Sequence, residues 1–92
     1  MFDFSGKNVL ITGASYGLGE QFAKDFALAG ADLVITARSR EKLEEVAEAC
    51  KREGSKVVAV SGDVSIEDDV NQVIKKGIEE LGHIDVLINN AG

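Results

Sequence analysis

The chain has 92 residues, with 10 Lys and Arg against 16 Asp and Glu, for a formal net charge of −6. That acidity argues against nucleic acid as a partner, because a phosphate backbone requires a basic patch, and no apolar run approaches the ~20 residues of a membrane span. The one cysteine, Cys50, excludes an internal disulfide and a cysteine-rich metal site.

The opening "MFDFSGK" has no basic region followed by a long apolar stretch, so no secretory signal is expected there and a cytoplasmic setting fits best. The first predicted strand is "NVLIT", Asn8–Thr12. After the glycine-rich "TGASYGLG" the spacing becomes helical, with Phe22, Ala23, Phe26 and Ala27 in one stripe and Gly30 suited to the closing turn. "DLVIT", Asp32–Thr36, is the second strand. Ser39 is placed to cap a second helix, whose stripe is Leu43, Val46, Ala47 and Cys50 and whose end is marked by Gly54. A cysteine on such an apolar stripe is expected to be buried and inert. The third strand is "KVVAVS", Lys56–Ser61. Ser65 followed by Asp68 resembles a capping box, with Asp in place of the usual Glu. The third helix then carries Val70, Val73, Ile74, Ile78 and Leu81 and closes at Gly82. His83 reads as a turn residue before the fourth strand, "DVLIN", Asp85–Asn89.

Short β-branched runs of this kind suit strands covered on both faces, as in parallel sheets. The order is βαβαβαβ with no internal linker, so residues 1–92 are expected to form one α/β unit. Crossovers between parallel strands are right-handed. If the third crossover passes to the far side of the first strand, the strand order becomes 3-2-1-4, a Rossmann-type doubly wound parallel sheet. Its topological switch lies between strands one and four, where open sheets bind ligands.

The glycine loop leaves the first strand and enters the first helix at that carboxyl edge. Helix N-termini present unpaired amides and partial positive charge, a natural seat for phosphate oxygens. Gly13 suits the tight turn, Gly17 lets backbone approach a diphosphate, and Gly19 lets helix and strand pack closely. A mononucleotide P-loop is excluded by the absence of its Gly-Lys-Ser/Thr ending.

"TGASYGLG" (Thr12–Gly19), "GDVS" (Gly62–Ser65) and "NNAG" (Asn89–Gly92) occur together in one order and spacing. In these three motifs the chain resembles the short-chain dehydrogenase/reductase family, in its N-terminal cofactor-binding half. The resemblance implies that Gly13, Ala14, Ser15, Tyr16, Gly17, Leu18 and Gly19 line the diphosphate. It also implies that the Asp63 carboxylate receives the adenine amino group, that Val64 contacts the ring, and that Asn90, Ala91 and Gly92 line the ribose side. The bland alternative for Asp63 is a turn cap, and Asn89 is expected to tie strands together. Tyr16 stands where relatives commonly carry Ser, Arg or Lys; it either overlies the diphosphate channel or points to solvent.

At the end of the second strand an acid would accept the ribose 2′-hydroxyl, whereas an Arg accommodates a 2′-phosphate. The resemblance puts Ala37 where NAD-preferring relatives carry an acid, with the basic Arg38 after it, so NADP(H) is expected over NAD(H). Arg40 either assists or is a solvated surface group.

Reductases of this family use a Tyr with a Lys four residues later as their acid/base pair. The one tyrosine here is Tyr16, and the residue four later is Glu20, so no catalytic residue is assigned. The resemblance therefore implies the NADP-binding portion of an oxidoreductase that moves hydride between nicotinamide and a carbonyl or alcohol carbon. The alternative is a truncated or designed nucleotide-binding or self-assembling module without turnover. Family members continue past the point matching Gly92. The fourth strand is accordingly expected to leave an open edge with apolar surface beside it, and a homo-oligomer formed through that edge.

Overall fold

The computed structural model describes residues 3–90. Among them β1 (Asn8–Thr12), α1 (Gly17–Leu28), β2 (Asp32–Ala37), α2 (Arg40–Arg52), β3 (Val57–Ser61), α3 (Glu67–Leu81) and β4 (Val86–Ile88) follow one another in the expected alternation. The strands form one parallel sheet in the order β3-β2-β1-β4. Leu10 lies opposite Val34 on one side and Leu87 on the other.

Side chains alternate across each strand, so the sheet sorts its apolar residues into two cores. Val9, Ile11, Leu33 and Ile35 face α1 and α2, meeting Ala23, Ala27, Leu43, Val46, Ala47 and a fully buried Cys50. Burial pushes the Cys50 thiol pKa up, which keeps it protonated and unreactive. On the other face Leu10, Val34 and Val58 meet Val73 of α3. The inner strands β1 and β2 are apolar on both faces, as the uninterrupted runs predicted. Helices cover both faces of β2, while β1 is covered by α1 on one face and on the other meets α3 through Leu10 and Val73.

Gly77, not singled out in the sequence, decides how closely α3 sits. A Cβ there would lie 2.8 Å from Val34 Cγ2, so only a glycine lets the helix close onto β2.

Three expectations need correction. The helix cap at Ser65 and Asp68 does not form: Ile66 is the N-cap residue, with no side-chain cap. Both the Ser65 amide and its hydroxyl donate instead to Asp63 Oδ1, a charge-assisted pairing that turns the hydroxyl to the carboxylate rather than to the helix-start amides. Ile74 and Ile78 are exposed rather than buried, because α3 lies over β2 and β3 and leaves the β1–β4 side of its stripe uncovered. The fourth strand, Val86–Ile88, is shorter than the run Asp85–Asn89, and side chains help to tie both of its flanks. By contrast, Ser39 does cap α2, accepting from the Lys42 amide at 3.4 Å.

The lower flank of β4 is clamped to the start of β1. The Asn8 amide donates to Asp85 Oδ2 at 2.8 Å and the Asp85 amide donates to the Asn8 carbonyl at 2.9 Å. Asn8 Nδ2 then donates to the Leu81 and His83 carbonyls at 3.2 and 2.9 Å. Asn8 is buried, and this reciprocal pairing satisfies its backbone groups and its side-chain amide nitrogen. His83 is the expected turn residue, with Nε2 3.0 Å from Asp85 Oδ2.

Candidate functional site

The carboxyl ends of β1, β2, β3 and β4 gather every described candidate residue along one edge. The loop between β1 and α1 turns at Gly13 (φ 62°) and again at Gly17 (φ 52°), a left-handed backbone that favours glycine. Space above Gly17 is open: nothing lies within 4 Å of a Cβ placed there. A Cβ on Gly19 would instead overlap the Gly13 carbonyl oxygen, so the helix start and the loop are in direct backbone contact.

Tyr16 is the N-cap residue of α1 and supplies no side-chain cap. The helical ladder begins with the Glu20 amide donating to the Tyr16 carbonyl at 3.2 Å. The amides of Gly17, Leu18 and Gly19 precede it and lack an intrahelical acceptor. Ala14 plays a different part: its amide donates to the Thr36 carbonyl at 3.1 Å, which anchors the loop to β2. Ala14 and Ser15 are buried, whereas Tyr16 is 62% and Leu18 66% exposed.

The upper flank of β4 is tied into the same loop. Thr12 Oγ1 donates to Asn89 Oδ1 at 3.1 Å and accepts from the Asn90 amide at 3.0 Å. Asn90 Nδ2 donates to the Gly13 carbonyl at 3.3 Å. Asn89 therefore joins β4 to β1 as expected, while Asn90 reaches the glycine loop itself. Ala91 and Gly92 lie outside the described residues. The tie at Thr12 was not singled out in the sequence, although a Thr that closes a buried strand is the signal that would have found it.

Arg38 follows β2 and is exposed. Arg40, by contrast, pairs with Glu44 at 3.2 Å on the outer face of α2, which makes it a surface ion pair. Asp63 follows β3, where its Oδ1 takes the Ser65 hydroxyl at 2.7 Å and the Ser65 amide at 2.9 Å. These bonds, with help from the nearby Arg38 charge, hold the Asp63 carboxyl below its usual range. The turn-capping role is thus real. It occupies one carboxylate oxygen.

Beside this edge, α3 and the β1–β4 half of the sheet enclose a cleft of about 620 Å³. Its floor and wall are Leu10, Leu87, Ile74 and Ile78, and its lip carries Thr12, Thr36, Asp63 and Asn89. The apolar surface expected beside the fourth strand is therefore present. Among the described residues no group of three or more His, Cys, Asp or Glu side chains is arranged to hold a metal. No helix among them is long and apolar enough to cross a membrane.

These features fit a dinucleotide on structural grounds. Two positive-φ glycines bend a loop whose helix-start amides are uncapped, and open space stands above Gly17. A cationic side chain lies at the end of the neighbouring strand.

The chain belongs to the short-chain dehydrogenase family, an oxidoreductase family whose model matches residues 7–92. It is 51% identical over 88 residues to 11-beta-hydroxysteroid dehydrogenase 1A of Arabidopsis thaliana, a match covering 95% of this chain and 25% of that protein. In structure it is similar to L-sorbose reductase of Gluconobacter frateurii, solved with NADPH and L-sorbose: TM-score 0.94, 37% identity, 99% of this chain and 35% of that one. It is equally similar to carveol dehydrogenase of Mycobacterium avium, solved with NAD: TM-score 0.94, 27% identity, 100% of this chain and 38% of that one. The chain thus spans about a quarter of the length of the curated relative it matches.

Proposed function

We propose that this chain is the NADP(H)-binding portion of a short-chain oxidoreductase, with residues 1–92 as a partial Rossmann domain. The observation that carries the reading is the glycine loop: uncapped amides at the start of α1, with open space above Gly17. In it Gly13, Gly17 and Gly19 shape the loop, and the amides of Gly17, Leu18 and Gly19 bind phosphate oxygens. Ala14 anchors it to β2, and Ser15 is buried beside it. Asn90, with Ala91 and Gly92, borders the ribose side, and Asp63 and Val64 border the base. When bound, the nicotinamide supplies hydride exchange with a carbonyl or alcohol carbon. This chain's own residues hold and orient the adenosine half, and the acid/base step belongs to polypeptide carrying a Tyr-Lys pair.

The NADP(H) preference rests on Ala37 and Arg38. Ala37 removes the acid that would repel a 2′-phosphate, and the Arg38 fork supplies charge-assisted donors worth about 1.5–3 kcal/mol, or one to two decades of affinity. Calorimetric titration with NADPH and NADH should show NADPH binding at least tenfold tighter, with Arg38→Ala removing most of the difference. Equal affinities in both proteins would refute the preference.

The open edge of β4 and the adjoining cleft support pairing between copies when this chain stands alone. Sedimentation showing a folded monomer at high concentration would count against it. The cytoplasmic setting rests on the single, buried cysteine.

A further inference from the structure

The turn after β3 is held from two directions at once. From the α3 side, Asp69 Oδ2 accepts the Asp63 amide at 2.9 Å. Asp69 packs so tightly there that a Cβ on Gly62 would lie 3.3 Å from its own Cβ. From the solvent side, Ser65 donates twice to Asp63 Oδ1. The first contact fixes the backbone of Asp63, and the second fixes its side chain. An aspartate otherwise rotates broadly about its carboxyl torsion, so binding one oxygen at two points sets the direction of the other.

We infer that Ser65 is a positioning residue for base recognition. Its hydroxyl pins Oδ1 of Asp63, which leaves Oδ2 aimed as the acceptor for an exocyclic amine on the nucleobase. This rests on the dinucleotide reading and deepens it, because it assigns the choice of base to a side chain that touches neither base nor phosphate. An ionised carboxylate accepts hydrogen bonds and donates none. It therefore favours adenine, which carries an amine, over hypoxanthine, which carries an oxygen at the same place. The Ser65 bonds that orient the carboxyl also hold its pKa below the usual range. Ser65 is exposed, and Ser65→Ala keeps the backbone bond, so the fold has little reason to change.

The test titrates the 92-residue chain with NADPH and with its hypoxanthine counterpart, by calorimetry, in the unmodified protein and in Ser65→Ala, Ser65→Thr and Asp63→Ala. The unmodified chain should prefer the adenine form. Ser65→Ala should cut that preference about three- to tenfold, Ser65→Thr should restore it, and Asp63→Ala should abolish it. On acidification the preference should vanish at a higher pH in Ser65→Ala, because a bond that holds the Asp63 carboxyl down is gone. A turn-stiffening role alone would weaken both forms alike and leave the adenine preference at neutral pH unchanged. If the unmodified chain discriminates and Ser65→Ala discriminates equally, the role of Ser65 is refuted while the dinucleotide site stands. If the unmodified chain binds both forms equally, base reading by Asp63 is refuted as well. If it binds neither, the dinucleotide reading falls and takes this inference with it.

Discussion

Replacing Gly77 with Ala sets two effects against each other, and the structure says which wins. Gly77 lies inside α3, where glycine costs about 1 kcal/mol relative to alanine. On propensity alone the substitution would therefore stabilise the chain. Packing opposes it. The new Cβ would stand 2.8 Å from Val34 Cγ2 and 3.3 Å from Cγ1, whereas comfortable carbon contacts lie at about 3.5–4.0 Å. Val34 is fully buried, and its branched side chain has little rotamer freedom, so it cannot swing aside. The helix must back away by roughly 1 Å, which loosens Val73 from Leu10 and Val58. Overpacking costs about 1–3 kcal/mol, and a stiff, buried neighbour puts this site in the upper half of that range. The net loss is about 1–2 kcal/mol after the propensity gain, or a melting temperature lower by roughly 4–16 °C for a domain of this size.

Urea and thermal denaturation followed by circular dichroism would measure it in Gly77→Ala, Val34→Ala and the double variant. With the Val34 methyls gone, the same glycine substitution should become stabilising, a reversal that a double-mutant cycle isolates. A gain of about 1 kcal/mol from Gly77→Ala in the unmodified chain would match propensity alone. It would mean that α3 is not seated this closely on β2, and the reasoning would fail.

Gly19→Ala sets a Cβ against the Gly13 carbonyl and 2.7 Å from Asn90 Nδ2. Backbone cannot yield there as a flexible side chain would, so NADPH affinity should drop at least tenfold by calorimetry, and unchanged affinity would contradict the site. Asp85 concerns pH. The Asn8 amide holds the Asp85 carboxyl below its usual range. A depressed carboxyl contributes its stability above the ordinary carboxylate pKa and loses it as pH falls through the folded-state value. Asp85→Asn should therefore flatten the acid limb of stability against pH, read from urea midpoints at several pH values. Asp3 and Asp63, both also depressed, leave a residual slope of the same sign.

Much of this molecule was legible in the order of its residues. The strand runs, the helical stripes of α1 and α2, and the closing glycines depend on period and local backbone freedom, which neighbouring residues carry by themselves. Gly30 and Gly54 do adopt positive φ just beyond their helices, and Gly82 does so at the end of α3. The strand order followed from the handedness of crossovers once the third was taken to pass to the far side of β1, as it does. The glycine loop was legible too, since a strand, three glycines and a helix in sequence leave few ways to turn.

Other features depend on partners far along the chain. A 3.6-residue period places Ile74 and Ile78 on the stripe with Val73. It does not say how much of that stripe the sheet covers, and α3 settles over β2 and β3 alone. Asn8 and Asp85 stand 77 residues apart, and nothing local to either announces that they will exchange hydrogen bonds. Gly77 looks like a weak point in a helix until Val34 is brought beneath it. Short-range preference thus decided the elements and their order along the chain. Close approach between distant segments decided which side chains are covered, clamped or left facing the cleft.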